Sequence, residues 1–171
     1  ELQAFQEVLP SLPKPWLEIG VGSGRFAEGL GIEFGLDPST RLLEIAKGRG
    51  VDVFLARGER LPFKESSFGA AFFIVTLCFV DSPLEVLREA NHILGENGKV
   101  VLGLVLRESP WGQFYDIKKR EGHRFYRHAT FYSYGEMAAL LREAGFSVEK
   151  VFSTLFQGPG VVEHIESPRE G

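Results

Sequence analysis

The stretch that decides the fold is WLEIGVGSGRFAEGLGIEFGLD, residues 16–37. Its apolar run 16–19 predicts a buried strand, and a second strand at 32–36 leads into an acid, Asp37. Between the two strands, a glycine-rich turn opens a short helix that reaches Leu30. Glycines let the backbone turn sharply and come close to a ligand. Because ligands of open α/β sheets bind at the carboxyl ends of the strands, we expect a binding site at this turn.

Two acids flank the turn, Glu18 near the end of the first strand and Asp37 at the end of the second. The segment from Gly22 to Ala27 also fits the dinucleotide fingerprint G-x-G-x-x-G/A. Glu18 would repel a pyrophosphate at the helix N-terminus, and Asp37 falls short of the roughly 20-residue spacing of that fingerprint. S-adenosylmethionine carries an ammonium, a sulfonium and a ribose diol but no phosphate, so the two acids suit it. A tight turn without a ligand is the remaining interpretation.

Four motifs follow one another along the chain: Leu17–Gly24; Gly35–Ser39; Glu59–Phe63 with Ser67-Phe68; and Leu87–Leu94 with Gly98. With these motifs the sequence resembles the class I S-adenosylmethionine-dependent methyltransferases, in their ubiquinone/menaquinone-biosynthesis-like (methyltransferase type 11) branch. The resemblance covers residues 14–107 and extends more loosely to about 157. It implies a Rossmann-like fold, S-adenosylmethionine as cofactor and S-adenosylhomocysteine as product.

Composition and charge narrow the class of protein. The length of 171 residues predicts one domain, and the net charge of −4 provides no general attraction to nucleic acid or to an anionic membrane. The single cysteine, Cys78, excludes an internal disulfide and suits a reducing cytoplasm. The longest apolar run, 70–80, is too short to span a bilayer, and no signal peptide is evident. We therefore expect a cytoplasmic protein that does not bind membranes.

Strands alternate with helices along the chain, which predicts an α/β fold: a doubly wound, mostly parallel sheet with helices on both faces. A helical, aromatic insert is expected after the fifth strand. The predicted parts of a single domain 1–171 are an N-terminal helix and linker (1–15), the cofactor-binding core (16–107), an insert or lid (108–132), a last helix and strand (133–157) and a tail (158–171).

Local signals predict several boundaries in the second half of the chain. The segments 82–85 and 133–136 have the pattern of capping boxes that open helices. The first of these helices is expected to run to Leu94, with Gly95 as its C-cap. The resemblance implies a seventh, antiparallel strand between the fifth and the sixth, but none is convincing: Val161-Val162 is too short, and 168–171 is predicted to be a loop. The later strands are predicted at 70–76, 99–106 and 146–156.

The cofactor residues are predicted from the turn and from the resemblance. Glu18 is expected to face the amino-acid end of the cofactor, although it could instead bond backbone amides. Asp37 is expected to accept the ribose hydroxyls, to cap the next helix, with Pro38 in its first turn, or both. The resemblance implies an acid where Arg57 stands and an aspartate where Gly69 stands. The full predicted set is Glu18, Gly20, Gly22, Gly24, Arg25, Asp37, Pro38, Gly58, Glu59, Arg60, Thr76 and Leu77.

The acceptor pocket is predicted between the segment after the fourth strand and the insert. Its rings are Phe79, Trp111, Phe114, Tyr115, Phe125 and Tyr126, and the candidates for a general base are His123, Tyr126 and His128. Residues 107–130 contain six Lys/Arg and three Asp/Glu, a positive balance that would suit an acidic substrate or a nucleic acid. The favoured interpretation is a solvated helix face that covers packed aromatic side chains. No metal site is expected, and Cys78 is expected to be a small buried residue.

Together these observations predict methyl transfer from S-adenosylmethionine to a small-molecule acceptor by in-line displacement. The chain lacks Asn-Pro-Pro-Tyr, which disfavours methylation of DNA bases. The alternatives are a non-catalytic S-adenosylmethionine-binding module, an RNA methyltransferase and an NAD(P)-dependent oxidoreductase. The acceptor, its attacking atom and the oligomeric state stay open.

Overall fold

A five-stranded parallel sheet forms the centre of the computed structural model, which describes residues 1–160 and 164–171. The strand order is β3-β2-β1-β4-β5, so the glycine-rich turn follows the central strand and lies where the strand order reverses. This is the predicted doubly wound α/β fold. The strands are β1 (Trp16–Ile19), β2 (Phe34–Asp37), β3 (Asp52–Leu55), β4 (Phe68–Ile74) and β5 (Leu94–Gly103).

Helices cover both faces of the sheet: α1 (Leu2–Gln6), α2 (Arg25–Leu30), α3 (Thr40–Gly48), α4 (Pro83–Ile93), α5 (Pro110–Arg120) and α6 (Tyr134–Glu143). Neighbouring side chains of β4 show the two layers: Phe72 packs with residues of α1, α2 and α3, whereas Phe73 packs with residues of α4 and α6. Both phenylalanines are fully buried, as expected for a parallel strand covered on both sides. In the described part of the chain, no helix is long and apolar enough to cross a membrane.

Three strands differ from the bounds predicted above: β2 is Phe34–Asp37 and not 32–36, and the fourth and fifth strands also shift. The fourth strand ends at Ile74 and not at 76, because Val75 adopts a left-handed backbone with φ +53°. The fifth strand was predicted at 99–106, but β5 begins directly after α4 because Leu94 pairs with Phe68. Leu94 is therefore extended, α4 ends at Ile93, and the predicted C-cap at Gly95 is wrong.

The predicted sixth strand at 146–156 is wrong. Only Phe152–Ser153 is a strand (β6), and it pairs antiparallel with Arg169–Glu170 (β7) of the tail, apart from the main sheet. Phe146 packs against the core, but Val148 and Phe156 are substantially exposed, so the apolar side chains of this stretch do not share one buried face. Within the described residues no strand pairs with the outer edge of β5. Val161 and Val162 lie outside the described residues.

The two predicted capping boxes have different outcomes. At α6 the box is present: the Ser133 hydroxyl accepts from the Glu136 amide at 3.2 Å, and the Glu136 carboxylate accepts from the Ser133 amide at 2.7 Å. At α4 the prediction is wrong, since Ser82 makes no side-chain capping bond.

Candidate functional site

The turn after β1 contains three glycines with positive φ, but they serve different purposes. A Cβ at Gly20 would overlap the Thr76 side chain, and a Cβ at Gly24 would lie 3.0 Å from the Ala46 backbone. Packing therefore requires glycine at positions 20 and 24. A Cβ at Gly22, in contrast, would meet no atom within 4 Å. Gly22 is therefore the point of the turn where another molecule can approach the backbone.

Glu18 is an acidic side chain that is buried among apolar core residues. It is 2% exposed, and among the described residues its buried Oε2 has no hydrogen-bond partner. Burial raises the pKa of this carboxyl to about 8, a hydrogen bond from the Ala27 backbone acts in the opposite direction, and the charge of Asp37 raises it further. A buried carboxylate without a partner is costly, because each such group loses its hydration without compensation. A cationic ligand donating to Oε2 would relieve that cost.

Asp37 joins the turn after β1 to the turn after β2. Its Oδ2 accepts from the Gly22 amide at 3.0 Å, and its Oδ1 accepts from the Ser39 amide at 2.9 Å. The prediction that Asp37 caps the next helix is wrong, because the N-cap of α3 is Ser39 and Pro38 precedes the helix. Each carboxylate oxygen still has a further lone pair, so Asp37 retains the capacity to accept from hydroxyl groups.

The loop after β3 runs across the sheet to α4. A Cβ at Gly58 would lie 3.2 Å from Val86, so this backbone packs tightly. Glu59 is held in place: Oε1 accepts from the Asp81 amide at 3.1 Å and Oε2 from Arg57 Nε at 3.4 Å. Arg57 is thus an ion-pair partner and not a free solvated charge. Arg60, also in the predicted cofactor set, is exposed in the same loop.

Glycine at position 69, where the resemblance implies aspartate, has a steric reason. A Cβ there would overlap the backbone of Pro13, and the Gly69 amide donates to the Pro15 carbonyl at 2.9 Å. The linker before β1 therefore packs directly on the start of β4.

The segment after β4 reaches the glycine turn through Thr76, whose side chain lies against Gly20. Leu77 is fully buried in the core, so only its backbone could meet a ligand. A narrow cleft continues beyond Thr76 between the ends of β4 and β5, with Cys78, Tyr132 and Met137 among its lining residues. Cys78 is only partly buried, and this burial raises the pKa of its thiol to about 12.

The predicted acceptor rings come together, but they pack against one another. Ring centroids lie 4.4 Å apart for Tyr115–Tyr126, 4.8 Å for Phe79–Phe125 and 6.0 Å for Trp111–Tyr115. Phe114 completes the group against Tyr115 at 5.5 Å. The Phe79–Phe125 contact links the insert to the segment after β4, yet Phe125 remains 60% exposed. The cluster is thus a small aromatic core with one ring open to solvent.

Trp111 has a structural task that the sequence does not indicate. Its indole N–H donates to the carbonyls of Leu155 and Gln157, at 3.2 and 3.1 Å. These bonds tie α5 to the segment that follows β6.

The histidines of the insert each use one ring nitrogen locally. His123 Nδ1 accepts from the Phe125 amide at 3.3 Å, and His128 Nε2 accepts from Arg127 Nε at 2.8 Å. The His123 and Tyr126 rings lie 4.9 Å apart, so two of the three candidate bases adjoin each other. No group of three metal-binding side chains occurs in the described ranges.

Most cations of the insert also have local partners. Arg107 pairs with Glu136 at 3.1 Å, Lys118 with Glu121 at 3.1 Å and Arg120 with Asp116 at 2.6 Å, while Lys119 donates to the Ala129 carbonyl. This pairing is what a solvated helix face over aromatic packing would show.

Comparison with known proteins agrees with this geometry. Residues 17–102 match the methyltransferase domain family. A Thermotoga maritima structure, described as a SAM-dependent methyltransferase and "possible histamine N-methyltransferase", superposes with a TM-score of 0.93 at 44% identity, covering 99% of this chain and 81% of that one. The chain belongs to the S-adenosylmethionine-dependent methyltransferases. S-adenosylmethionine is accordingly its cofactor, and the dinucleotide interpretation is set aside.

Other relatives differ in extent. A Mycobacterium tuberculosis protein is 41% identical over the whole chain, which spans about 60% of that relative's length. A Methanocaldococcus jannaschii protein is 36% identical over 97% of the chain and 80% of its own length. A SAM-dependent methyltransferase of Methanosarcina mazei, at 16% identity and a TM-score of 0.71, shares the fold, with 88% of this chain and 89% of that one covered.

The site residues of this methyltransferase fit the cofactor. The unpartnered Oε2 of Glu18 suits an ammonium, the open side of Gly22 admits close approach to backbone amides, and the lone pairs of Asp37 suit a diol. S-adenosylmethionine supplies a methyl group that is already activated by the sulfonium.

Proposed function

We propose that this methyltransferase transfers the methyl group of S-adenosylmethionine to a small-molecule acceptor. One observation carries the proposal: Glu18 is a fully buried carboxylate whose Oε2 has no partner within the described residues. In this proposal Glu18 holds the amino-acid end of the cofactor, Gly22 admits it to the backbone, and Asp37 accepts from the ribose. The other predicted contacts, from Gly20, Gly24, Arg25, Pro38, Gly58–Arg60, Thr76 and Leu77, belong to the same proposal.

For this reaction the protein mainly has to position the acceptor against the methyl group. An electron-rich atom attacks the methyl carbon in line with the departing sulfur, so orientation and exclusion of water supply most of the rate enhancement. Thr76 connects the glycine turn to the cleft between β4 and β5, and Phe79 connects that segment to the insert. We infer that the acceptor reaches the methyl group from this side, with the insert as its cover. His123 or Tyr126 would remove a proton where the acceptor needs it.

The acceptor class is the least constrained part of the proposal. The relative from Thermotoga maritima suggests that amines belong in a first panel, with histamine among them. Membership of the ubiquinone/menaquinone-biosynthesis-like branch, the cytoplasmic location and the division of one domain into core, insert and tail remain parts of the proposal, as predicted from the sequence.

Calorimetry and turnover test the proposal in two stages. We expect S-adenosylhomocysteine to bind and NADH not to bind. Methyl transfer is then screened with amines, phenols, thiols and carboxylates, and RNA is included as a separate substrate. Binding without turnover on any acceptor would favour the non-catalytic module. Turnover on RNA alone would replace the small-molecule reading.

A further inference from the structure

Three charged side chains form a connected group beside the cofactor site, which we call the clasp: Arg57, Glu59 and Asp81. Arg57 donates to the Asp81 carboxylate and, through Nε, to Glu59 Oε2 at 3.4 Å. Glu59 Oε1 accepts from the Asp81 amide at 3.1 Å. The Glu59 side chain is only 18% exposed, whereas those of Arg57 and Asp81 are largely exposed. The group therefore has a half-buried centre and a solvent-facing ion pair.

The clasp joins two loops that the sheet itself keeps apart. Arg57 and Glu59 follow β3, and Asp81 lies between β4 and α4. The strand order places β2 and β1 between these two strands, and the turns that follow β1 and β2 carry Gly22 and Asp37. The loop after β3 must consequently pass over the carboxyl edge of the sheet, where ligands of such sheets bind.

Packing shows the path of that loop. A Cβ at Gly58 would lie 3.3 Å from Ile19 of β1 and 3.2 Å from Val86 of α4. Farther on, the Leu61 amide donates to Glu89 Oε2 at 2.8 Å. The loop after β3 is thus held against α4 by the Leu61–Glu89 hydrogen bond, and the clasp connects the same loop to the segment after β4. The ion pair of Arg57 and Asp81 therefore lies beside the carboxyl edge of the sheet, the expected cofactor crevice, without belonging to the core.

We propose that the clasp retains the cofactor, with Arg57 as a positioning residue that holds the loops after β3 and β4 together. The inference rests on the proposed function, since it requires the cofactor to occupy the crevice beside the glycine turn. Arg57 and Asp81 must separate, or shift with their loops, whenever the cofactor enters or leaves. The pair then slows exchange, and salt, which screens exposed charges, speeds it.

The test measures the dissociation rate and the affinity of S-adenosylhomocysteine at low and high salt. We expect Arg57→Gln and Asp81→Asn each to raise the dissociation rate about 2–5-fold at low salt, the range of a solvent-exposed ion pair. The double variant should resemble Arg57→Gln, because that substitution alone already removes the pair with Asp81. The salt dependence of the native rate should largely disappear in all three.

A matched ion pair away from the crevice provides the control. Arg88 and Glu143, 3.2 Å apart and similarly exposed, join α4 to α6. Arg88→Gln and Glu143→Gln should leave the dissociation rate at the native value. Thermal midpoints of all variants should agree within a few degrees, so that a change in rate reports the clasp and not partial unfolding.

Each outcome decides a separate point. Native dissociation rates and native salt dependence in Arg57→Gln and Asp81→Asn would overturn the clasp, as would additive effects in the double variant. Failure of the native protein to bind S-adenosylhomocysteine would instead overturn the proposed function. A KM for S-adenosylmethionine that rises while kcat stays near native supports retention of the cofactor.

Discussion

The glycine turn and the aromatic insert are built on opposite principles. At the turn, within the described part of the chain, Glu18 Oε2 is buried without a hydrogen-bond partner and a Cβ at Gly22 would meet no atom within 4 Å. In the insert, rings contact rings and most cations have local partners. Unsatisfied polar groups are costly and need an external partner, whereas packed rings are explained by stability alone. Predictions for the turn therefore concern binding first, and predictions for the insert concern packing first.

The largest expected effect is at Glu18. In Glu18→Gln, the loss of the carboxylate should weaken S-adenosylhomocysteine binding by about 10–150-fold, corresponding to roughly 1.5–3 kcal/mol for a hydrogen bond to a charged group. Calorimetry measures the change. Native affinity in this variant would show that Glu18 has no ligand contact.

The same substitution should stabilise the free protein at alkaline pH. Because the pKa of Glu18 is raised from 4.5 to about 8, the folded state keeps a proton that the unfolded state has released. The stability from that proton is fully present below pH 4.5 and is lost as pH rises to about 8. Glu18→Gln does not titrate, so its advantage over the native protein should grow to the order of 3–5 kcal/mol above pH 8.

Denaturant unfolding at pH 5 and pH 9 measures this difference, with circular dichroism as the probe. In the native protein, S-adenosylhomocysteine binding should also tighten from pH 6 to pH 8, because Glu18 must lose its proton to meet an ammonium. An equal response of both proteins to pH would contradict the assignment of the raised pKa to Glu18.

The next largest effect separates the two uses of glycine. Gly22 and Gly31 both have positive φ, and a Cβ at either would meet nothing within 4 Å. Gly31, however, ends α2 at the end away from the turn. Gly22→Ala and Gly31→Ala should each cost about 1–2 kcal/mol of stability through the left-handed backbone.

Only Gly22→Ala should also weaken S-adenosylhomocysteine, because its methyl group enters the space beside the turn. We expect a loss of at least about tenfold, equivalent to 1.4 kcal/mol. Thermal unfolding and calorimetry on both variants give the two readouts. Equal affinities would mean that the cofactor does not approach Gly22.

The sheet and the turn were predictable because their signals are local. A parallel strand covered on both faces appears as a short apolar run, and Trp16–Ile19 and the fourth strand both do. Glycines and acids mark where such strands end. The error at 146–156 has the same origin, since an apolar run predicts a strand whether or not a neighbouring strand is available to it. Pairing of Leu94 with Phe68 likewise depends on a distant residue.

Parts of the site escaped prediction for a similar reason. Glu18 and Asp37 could be proposed from the sequence because each lies at or near the end of its own strand. The clasp was not found, because Asp81 belongs to a different loop from Arg57 and nothing in either segment indicates the other. The hydrogen bonds of Trp111 to residues 155 and 157 also join distant segments, which sequence spacing does not reveal.

A smaller effect is expected where the insert departs from pure packing. Phe125 is 60% exposed while it contacts Phe79, so truncation should cost little stability. Phe125→Ala should lower kcat/KM for the acceptor about 3–10-fold, as loss of an apolar contact worth about 1 kcal/mol, and should leave S-adenosylhomocysteine affinity unchanged. Trp111→Ala is a poorer probe, because it also releases the segment after β6.

Ile117 is the matched control for Phe125. It is also an exposed apolar residue of the insert, at 53%, and it belongs to α5. Ile117→Ala should retain native kcat/KM. If both variants behave alike, the rings serve only to hold the insert on the domain.

The smallest effect is expected from the cations of α5. Lys118 and Arg120 pair with Glu121 and Asp116 on the same helix, and exposed pairs of this kind contribute about 0.3–0.5 kcal/mol each. The double variant Lys118→Gln/Arg120→Gln should therefore stay within about 1 kcal/mol of native stability and keep native turnover of a small acceptor.

A nucleic acid held by phosphate contacts would instead bind more weakly as salt rises, with a slope set by the number of contacts. RNA binding by the native protein at 50 and 200 mM salt, compared with the double variant, distinguishes the two cases. Because these cations already have partners, we expect weak RNA binding that the double variant does not change. Tight, salt-sensitive binding that the variant loses would make the insert a nucleic-acid surface and reverse the contrast between the two regions.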